Sequence, residues 1–227
     1  MVSRSYAGVV AAALLLVTAS TSAAVSDNDT QVSERPLEPR PLPFMDGSFE
    51  FPRIAAESIQ TYVAANVTFP TCPCPEYIGP WRVSQRTVDL YRNSNRFPAA
   101  RGSQIVDLNG TNAEDLAHTQ PGAITQRFAT KVGVTYAVTY QLAANFDRPP
   151  VVKTGEVRVN DQVVQSFSFD STGKTPQNMG WQKWRVTFKA VGEATTLTFA
   201  STTADGTGFS PSGPLIDDVK VKRVKVE

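Results

Sequence analysis

Apolar and polar residues alternate with a period of two through most of the chain beyond residue 44. The alternation is clearest in Val134–Leu142 and in Trp184–Phe188. One buried side and one solvent-facing side is typical of antiparallel sheet. In Val157–Phe169 the pair Asn160-Asp161 separates two apolar runs, which predicts the turn of a hairpin. No segment keeps a helical period, so the sequence predicts an all-β fold of about eight antiparallel strands.

The first 24 residues have the three parts of a secretory signal peptide. Arg4 precedes the uncharged stretch Ala7–Val17, and small residues follow as far as Ala24. The stretch has about eleven residues, whereas a membrane helix needs roughly 20, so a signal anchor is the less favoured alternative. We therefore expect a secreted, extracellular or cell-wall-associated protein with no membrane attachment after the signal is removed.

Residues 25–43 are polar and end in four closely spaced prolines, Pro36, Pro39, Pro41 and Pro43. Proline at this density excludes helix and central strand, so the segment is predicted to be a disordered stalk. Residues 44–227 then form a single domain.

Loss of Arg4 with the signal changes the formal net charge from +1 to 0, because +1 − 1 = 0. A neutral chain without a basic run does not favour a nucleic-acid partner, which needs a concentrated positive patch. The same balance weakens the idea of purely electrostatic capture of an acidic polysaccharide.

Cys72 and Cys74 are the only cysteines and a single residue separates them, which suits neither a zinc site nor a thioredoxin-type redox motif. Outside the cell they are expected to oxidise, either with each other, which we favour, or with another chain.

Asn28, Asn66 and Asn109 each begin an N-glycosylation sequon, although Asn109 lies in a segment that the fold could need.

Five short sequence motifs, each present once, follow one another along the domain: DGSFE (46–50), GSQIVDLNGT (102–111), GAITQRFAT (122–130), NMGW (178–181) and PLIDDV (214–219). Together they resemble the secreted choice-of-anchor C group and the plant cell-wall family called domain of unknown function 642. The resemblance implies a galactose-binding-like jelly-roll β-sandwich acting at a cell wall. Relative to that pattern, residues 51–78 and 112–121 are expected to be inserted loops, the second carrying His118.

The resemblance also implies a structural calcium between the first and the last strand. By position, the side chains of Glu50 and Asp218 and the carbonyl of Ser48 would be its ligands, and such oxygens suit calcium. The alternative is that Glu50 caps loop amides and that Asp217 or Asp218 terminates a strand.

Sugar-binding sites combine flat rings with planar polar groups. Trp81, Trp181 and Trp184 are better interpreted as core residues, so the ring candidates lie in other positions. The residues proposed for ligand binding are Tyr77, Tyr91, Arg92, Phe97, Asp107, Asn145 and Phe209. For Asp107 and Asn145, turn chemistry is the favoured alternative.

Catalysis has little support, because the sole histidine, His118, has no evident triad partners and no carboxylate pair is marked out. The sequence therefore predicts a secreted, non-catalytic module that binds cell-wall polysaccharide of the pectin or cellulose type. One alternative is an interaction module that modulates a wall-modifying enzyme such as a pectin methylesterase. A polysaccharide-cleaving jelly roll is the third possibility.

Overall fold

A computed structural model of the protein describes residues 40–67, 74–110, 121–204 and 211–224. Those residues form strands, turns and loops and contain no α-helix. Among them there is accordingly no helix of the length and hydrophobicity that a membrane span requires. The predicted signal peptide, residues 1–24, the stalk as far as residue 39, and all but the last residue of the 112–121 insertion lie outside the described ranges.

Two six-stranded sheets face each other, and every strand pair within them is antiparallel. Sheet A has the order β1-β4-β5-β12-β7-β10, and sheet B has the order β2-β3-β6-β11-β8-β9. The strands of sheet A are β1 (Ser58–Val63), β4 (Thr87–Arg92), β5 (Ile105–Asp107), β12 (Pro214–Arg223), β7 (Thr135–Ala144) and β10 (Gln182–Lys189). Those of sheet B are β2 (Tyr77–Ile78), β3 (Trp81–Gln85), β6 (Ala123–Ala129), β11 (Ala194–Ser201), β8 (Val152–Val159) and β9 (Gln162–Asp170). This architecture is the predicted all-β jelly-roll sandwich.

The core lies between the two sheets and is filled by the apolar side of the alternating segments. Trp81 is fully buried at its centre, where its ring lies 5.5 Å from Phe49 and 6.1 Å from Phe199. Trp184 is half-buried and stacks on Tyr140 at 6.4 Å. Both tryptophans pack against the core, as the sequence predicted, and Trp181 joins them as a half-buried neighbour.

The predicted hairpin is present between β8 and β9. Asn160 and Asp161 form its two-residue turn with φ values of 47° and 65°. Positive φ at both central residues matches the right-handed twist of the flanking strands, and Asn and Asp tolerate it better than most residues.

The structure has twelve strands where about eight were predicted, and part of the difference lies in residues 51–78. This segment was predicted to be an inserted loop, but Ser58–Val63 forms the edge strand of sheet A and Tyr77–Ile78 the edge strand of sheet B. Tyr62 and Val63 are buried there. The segment therefore widens the sandwich by one strand on each sheet.

The C-terminal strand lies in the interior of sheet A. Its alternation of valine with charged residues is of a kind that often protects a sheet edge, yet β12 lies between β5 and β7. The charged side chains Lys220 and Lys222 point to solvent from an interior strand, so they do not protect an edge.

Candidate functional site

The DGSFE segment fastens the beginning of the domain to the late strand β12. Gly47 accepts a hydrogen bond at its carbonyl from Val219 N (2.7 Å), and a Cβ at Gly47 would lie 1.9 Å from Val219 O. No residue other than glycine fits this close approach. The adjacent Phe49 is fully buried, and Trp81 Nε1 donates to Asp46 O at 2.9 Å.

Glu50 holds the loop that leads into β5. Its carboxylate accepts from Ser103 N (2.7 Å), Ser103 Oγ (2.9 Å) and Gln104 N (2.9 Å). The buried Gln104 amide in turn accepts from Ile54 N at 2.9 Å. Glu50 therefore caps loop amides, which was the alternative to calcium binding from the sequence.

The residues predicted for calcium, Ser48, Glu50 and Asp218, lie around this same loop. Asp218 contacts Arg101 Nε at 3.6 Å and Lys220 Nζ at 2.5 Å. Carboxylate and carbonyl oxygens suit calcium, but the described residues contain no group of three or more His, Cys, Asp or Glu side chains that could hold a metal. A calcium ion here would thus need backbone oxygens beside the two carboxylates.

Most of the residues proposed for ligand contact are buried. Tyr91 packs edge-on against Phe97 with ring centroids 5.2 Å apart, and Phe97 lies 5.1 Å from Phe146. Tyr91 and Phe97 are only 4% and 3% exposed, so they anchor the loops that cover this end of sheet A and offer no platform to a sugar. Arg92 donates from Nη1 to Ile54 O at 2.9 Å and likewise holds a loop.

Asp107 and Asn145 join in a buried polar cluster at the ends of β5 and β7. Asp107 Oδ1 accepts from the backbone N–H of Asn109 and Gly213 (2.9 Å each), and its Oδ2 accepts from Asn145 Nδ2 (2.8 Å). Burial raises the pKa of Asp107 to about 7, although these hydrogen bonds oppose the shift. Nearby Lys153 is fully buried; desolvation lowers its pKa to about 8 while its Nζ donates to Arg148 O. The geometry is that of turn chemistry, the favoured alternative.

The raised pKa of Asp107 predicts that the fold is more stable in mild acid than at neutral pH. The folded state holds this proton more tightly than the unfolded state, whose pKa is near 3.8. The resulting stability is fully present below about pH 4 and is lost as the pH rises through about 7, with a slope of up to about 1.4 kcal/mol per pH unit. Urea unfolding at pH 5 and pH 7.5 measures it, and Asp107→Asn is expected to remove this residue's share of the slope. An unchanged slope in the variant would contradict the assignment.

The remaining predicted positions are dispersed. Tyr77 is 54% exposed on the outer side of sheet B, and Phe209 lies outside the described residues. Cys74 is disulfide-bonded, and its predicted partner Cys72 is also outside the described ranges. The predicted ligand residues therefore do not converge on one solvent-accessible site.

A different set of side chains does converge, on the outer face of sheet A. Strand β7 lies between β12 and β10 and presents Thr135, Ala137, Thr139 and Gln141 outward as a floor of short and uncharged side chains. Exposed cations rise from the two flanking strands, and we call this set the cationic lane: Lys183, Arg185 and Lys189 on β10, and Lys220 and Lys222 on β12.

The strand register places these cations opposite each other across β7. Thr139 pairs with Arg185 on one side and with Lys220 on the other. Ala137 pairs in the same way with Thr187 and Lys222. Because neighbouring strands are about 4.8 Å apart and alternate residues about 6.8 Å apart, the lane is about 10 Å wide between its flanking backbones and repeats its charge along the strands.

The lane has little compensating negative charge. Lys220 is its one member with an ion pair within the described residues, and the partner, Asp218, stands at the end of the lane beside Arg101. Of the other described carboxylates, Asp107 is buried, Glu156 lies on sheet B, and Glu57 and Asp147 lie in loops, where they contact Ser94 and Arg96. A chain of nearly zero net charge therefore presents one strongly positive face.

This arrangement suits an extended anionic polymer. Lysine and arginine heads pair with carboxylates, and threonine hydroxyls and the Gln141 amide can donate to and accept from the hydroxyls between them. In the sequence, lysine and arginine alternate with apolar residues in the segments that form β10 and β12. Only the order of strands in sheet A shows that these two segments lie on either side of β7, and the sequence does not contain that order.

The fold defines the protein as an all-β jelly-roll sandwich of two antiparallel sheets. The model of the family described as protein of unknown function DUF642 matches residues 43–222, and the chain belongs to this family. The predicted resemblance is thereby confirmed.

Several solved structures are similar to this chain at low sequence identity and with low TM-scores. TmCBM61, solved with β-1,4-galactotriose, is 19% identical over 64% of this chain and 90% of its own, with a TM-score of 0.42. A family 35 carbohydrate-binding module from Clostridium thermocellum is 18% identical over 63% and 98%, with a TM-score of 0.40. One from Paenibacillus barcinonensis is 17% identical over 72% and 98%, with a TM-score of 0.39. No curated protein sequence matches the chain.

Proposed function

We propose that the protein is a secreted, non-catalytic module that binds acidic cell-wall polysaccharide of the pectin type through the cationic lane. The single observation that carries the proposal is the placement of five exposed cations on both sides of the short-residue strand β7. An extended chain bearing regularly spaced carboxylates complements this surface in both shape and charge.

The side chains of the cationic lane also favour a polysaccharide over nucleic acid or a membrane surface. Its described residues include no exposed aromatic ring on which nucleic-acid bases could stack. A flat sheet does not enter a duplex groove as a helix or a two-stranded ribbon does. The lane lacks exposed apolar side chains of the kind that insert into a membrane surface. Uronate chains satisfy the same cations without these features.

The test is retention of the protein on immobilised polygalacturonate, compared with fully methyl-esterified pectin and neutral glucan, at 50 and 500 mM NaCl. We expect retention on polygalacturonate that weakens at high salt, because exposed charges are screened there. The polymer recovered afterwards should keep its length, since binding is non-catalytic. Absent retention at low salt by folded protein would overturn the proposal, and shortened polymer would indicate an enzyme.

Calcium remains part of the proposal as a structural ion held by Glu50, Asp218 and the carbonyl of Ser48. Binding to the folded state alone would stabilise it by about 2.7 kcal/mol when calcium is at 100 times its dissociation constant. We therefore expect the melting temperature to rise in millimolar calcium and to fall in chelator, with no response in a Glu50→Gln/Asp218→Asn variant. Equal melting temperatures in both buffers would contradict calcium binding.

If the protein is secreted, its sequons should differ in glycosylation according to their exposure to solvent. Asn66 is exposed, whereas Asn109 is fully buried and its Nδ2 donates to Thr203 O at 3.2 Å. Expressed through a eukaryotic secretory pathway, the protein is expected to carry a glycan at Asn66 and none at Asn109, as glycopeptide mass spectrometry would show. Asn28 lies outside the described residues. A glycan on Asn109 of folded protein would be incompatible with this structure.

A further inference from the structure

Strand β9 forms one edge of sheet B and is long and almost uncharged. It has nine residues, of which only the last, Asp170, is charged, and it contains no proline. Its one irregularity is a bulge at Val164, beyond which the ladder to β8 is regular as far as Asp170. Lysine, proline or a very short strand usually keeps an exposed edge from pairing with another chain. The edge at β9 lacks these three forms of protection.

The register with β8 shows which backbone groups of β9 point outward. Ser171 N donates to Val151 O at 2.9 Å, so these two residues form a hydrogen-bonded pair. Hydrogen-bonded and non-hydrogen-bonded pairs alternate along an antiparallel ladder, which makes Ser166, Ser168 and Asp170 members of the second kind. Their backbone N–H and C=O groups therefore point away from β8, and they have no backbone partner within the described residues.

The other three edges of the two sheets differ from β9. Strand β2 has only two residues. Strand β1 uses part of its outer backbone within the chain, since Val63 N donates to Pro75 O at 3.0 Å. Strand β10 has three cations, and its Arg185 carbonyl already accepts from Gln165 Nε2 at 3.3 Å. Among the described strands, β9 is thus the long edge whose outer backbone groups are still available.

We propose that β9 pairs antiparallel with β9 of a second copy of this chain, about a twofold axis at Ser168. In this register Ser166 of each copy faces Asp170 of the other, and Ser168 faces Ser168. Each of these three pairs can form two backbone hydrogen bonds, which gives about six in all. The same patch then serves both copies, as a twofold interface requires.

Charge complementarity favours a second copy as the occupant of this edge. No charged side chain faces another of the same sign, because Asp170 lies opposite the Ser166 hydroxyl, which can donate to it. Pairing of β10 with its own copy would instead bring the cations of both molecules together. The inner side chains of β9, Phe167 and Phe169, are already buried in each copy, so pairing requires no change in the core.

The pairing also has a consequence for the cationic lane. A twofold axis between antiparallel strands stands perpendicular to their sheet, so sheet A would lie on the same side in both copies. The two lanes would then face the same way, and a polymer bound to one lane would meet the other at high effective concentration. This consequence rests on the proposed function, whereas the dimer itself does not.

Sedimentation equilibrium of the intact protein measures the association without any polysaccharide. A range from about 2 to about 200 µM brackets a micromolar dissociation constant, which suits a small interface. We expect a reversible monomer–dimer equilibrium, and a dissociation constant raised at least tenfold in Ser168→Pro and in Ser168→Lys. Proline removes an N–H that β8 does not use, as edge strands tolerate, and lysine places two like charges on the axis.

The control Val191→Lys adds the same charge at a turn position that is 79% exposed, and it should dimerise as the wild type does. Melting temperatures of the three variants close to that of the wild type would show that lost association is not unfolding. Because Ser168→Lys changes only an exposed side chain, it keeps the test decisive if the proline variant does not fold.

Ser168→Cys tests the register itself. Residues of a hydrogen-bonded antiparallel pair have Cα atoms about 5.5 Å apart, which a disulfide can span. Mild oxidation should therefore cross-link Ser168→Cys into a dimer on a non-reducing gel, and should leave Thr187→Cys, at an exposed position of β10, uncross-linked.

Three results would overturn the proposal. The first is a wild type that stays monomeric over the whole concentration range, which would leave the edge to a different protein or to none. The second is a dimer that Ser168→Pro and Ser168→Lys leave unchanged, since its interface would lie elsewhere. The third is a series of larger open-ended oligomers in place of a dimer.

Discussion

Replacing Lys183, Arg185 and Lys222 together by glutamine is expected to weaken binding to polygalacturonate roughly thirtyfold at low salt. Each exposed charge contact contributes a factor of about two to five, and the three positions lie on both sides of the lane. They have no ion-pair partner among the described residues, so the substitutions remove charge without leaving a carboxylate unpaired. Titration with oligogalacturonates by calorimetry measures the loss.

The matched control removes three exposed cations from other surfaces, as in Arg53→Gln/Lys131→Gln/Arg148→Gln. Net charge changes equally in the two triple variants, so a difference in affinity reports the position of the charge. If both variants lose affinity to the same extent, attraction depends on overall charge and the lane is not a site. The melting temperature of both should stay close to that of the wild type, because all six side chains are exposed.

Glu50→Ala is expected to lower the free energy of unfolding by about 3 kcal/mol, because three hydrogen bonds to a charged acceptor are lost and two backbone N–H groups lose their partner. The same carboxylate fills the space beside Gly102, where an added Cβ would lie 2.3 Å from Glu50 Oε1. Its removal thus leaves a void as well. Urea denaturation in chelator measures the loss without a contribution from calcium.

Glu57→Ala is the comparison for that variant. The Glu57 carboxylate also accepts two hydrogen bonds, one from the Ser94 hydroxyl and one from the Asn95 backbone N–H, but it lies on the surface. The midpoint of its urea transition should move little, since solvent replaces these contacts. Similar shifts in the two variants would show that Glu50 is not the anchor of the loop.

Local features of the chain were predictable because their causes are local. The Asn160-Asp161 turn follows from the backbone preferences of two residues, and the inward rows of β7 and β10 follow from simple alternation. The edge strand β1 was missed because its pattern, SIQTYV, lies in a segment that we interpreted as an inserted loop. Its burial depends on β4, to which it pairs.

The candidate binding surface could not be predicted from the sequence, because it depends on which strands become neighbours. Tyr91 and Phe97 have aromatic rings of the type that stacks on sugars, but both rings are buried against each other. Only the three-dimensional structure shows this burial. Likewise, the near-zero net charge gave no indication of the cationic lane. Net charge adds up all the positive and negative side chains, whereas the fold places them on different surfaces. Residues in β10 and β12 become one surface only through β7.

The position of β12 in sheet A bears on how the protein must be made. During synthesis the strand emerges from the ribosome after all the others, yet it separates β5 from β7 and bonds to Gly47 near the start of the domain. Sheet A can reach its final pairing only when this segment has been translated, and until then β5 and β7 both expose unpaired edges. Such edges invite aggregation. Nascent chains halted before residue 214 should therefore need chaperone protection that full-length chains do not.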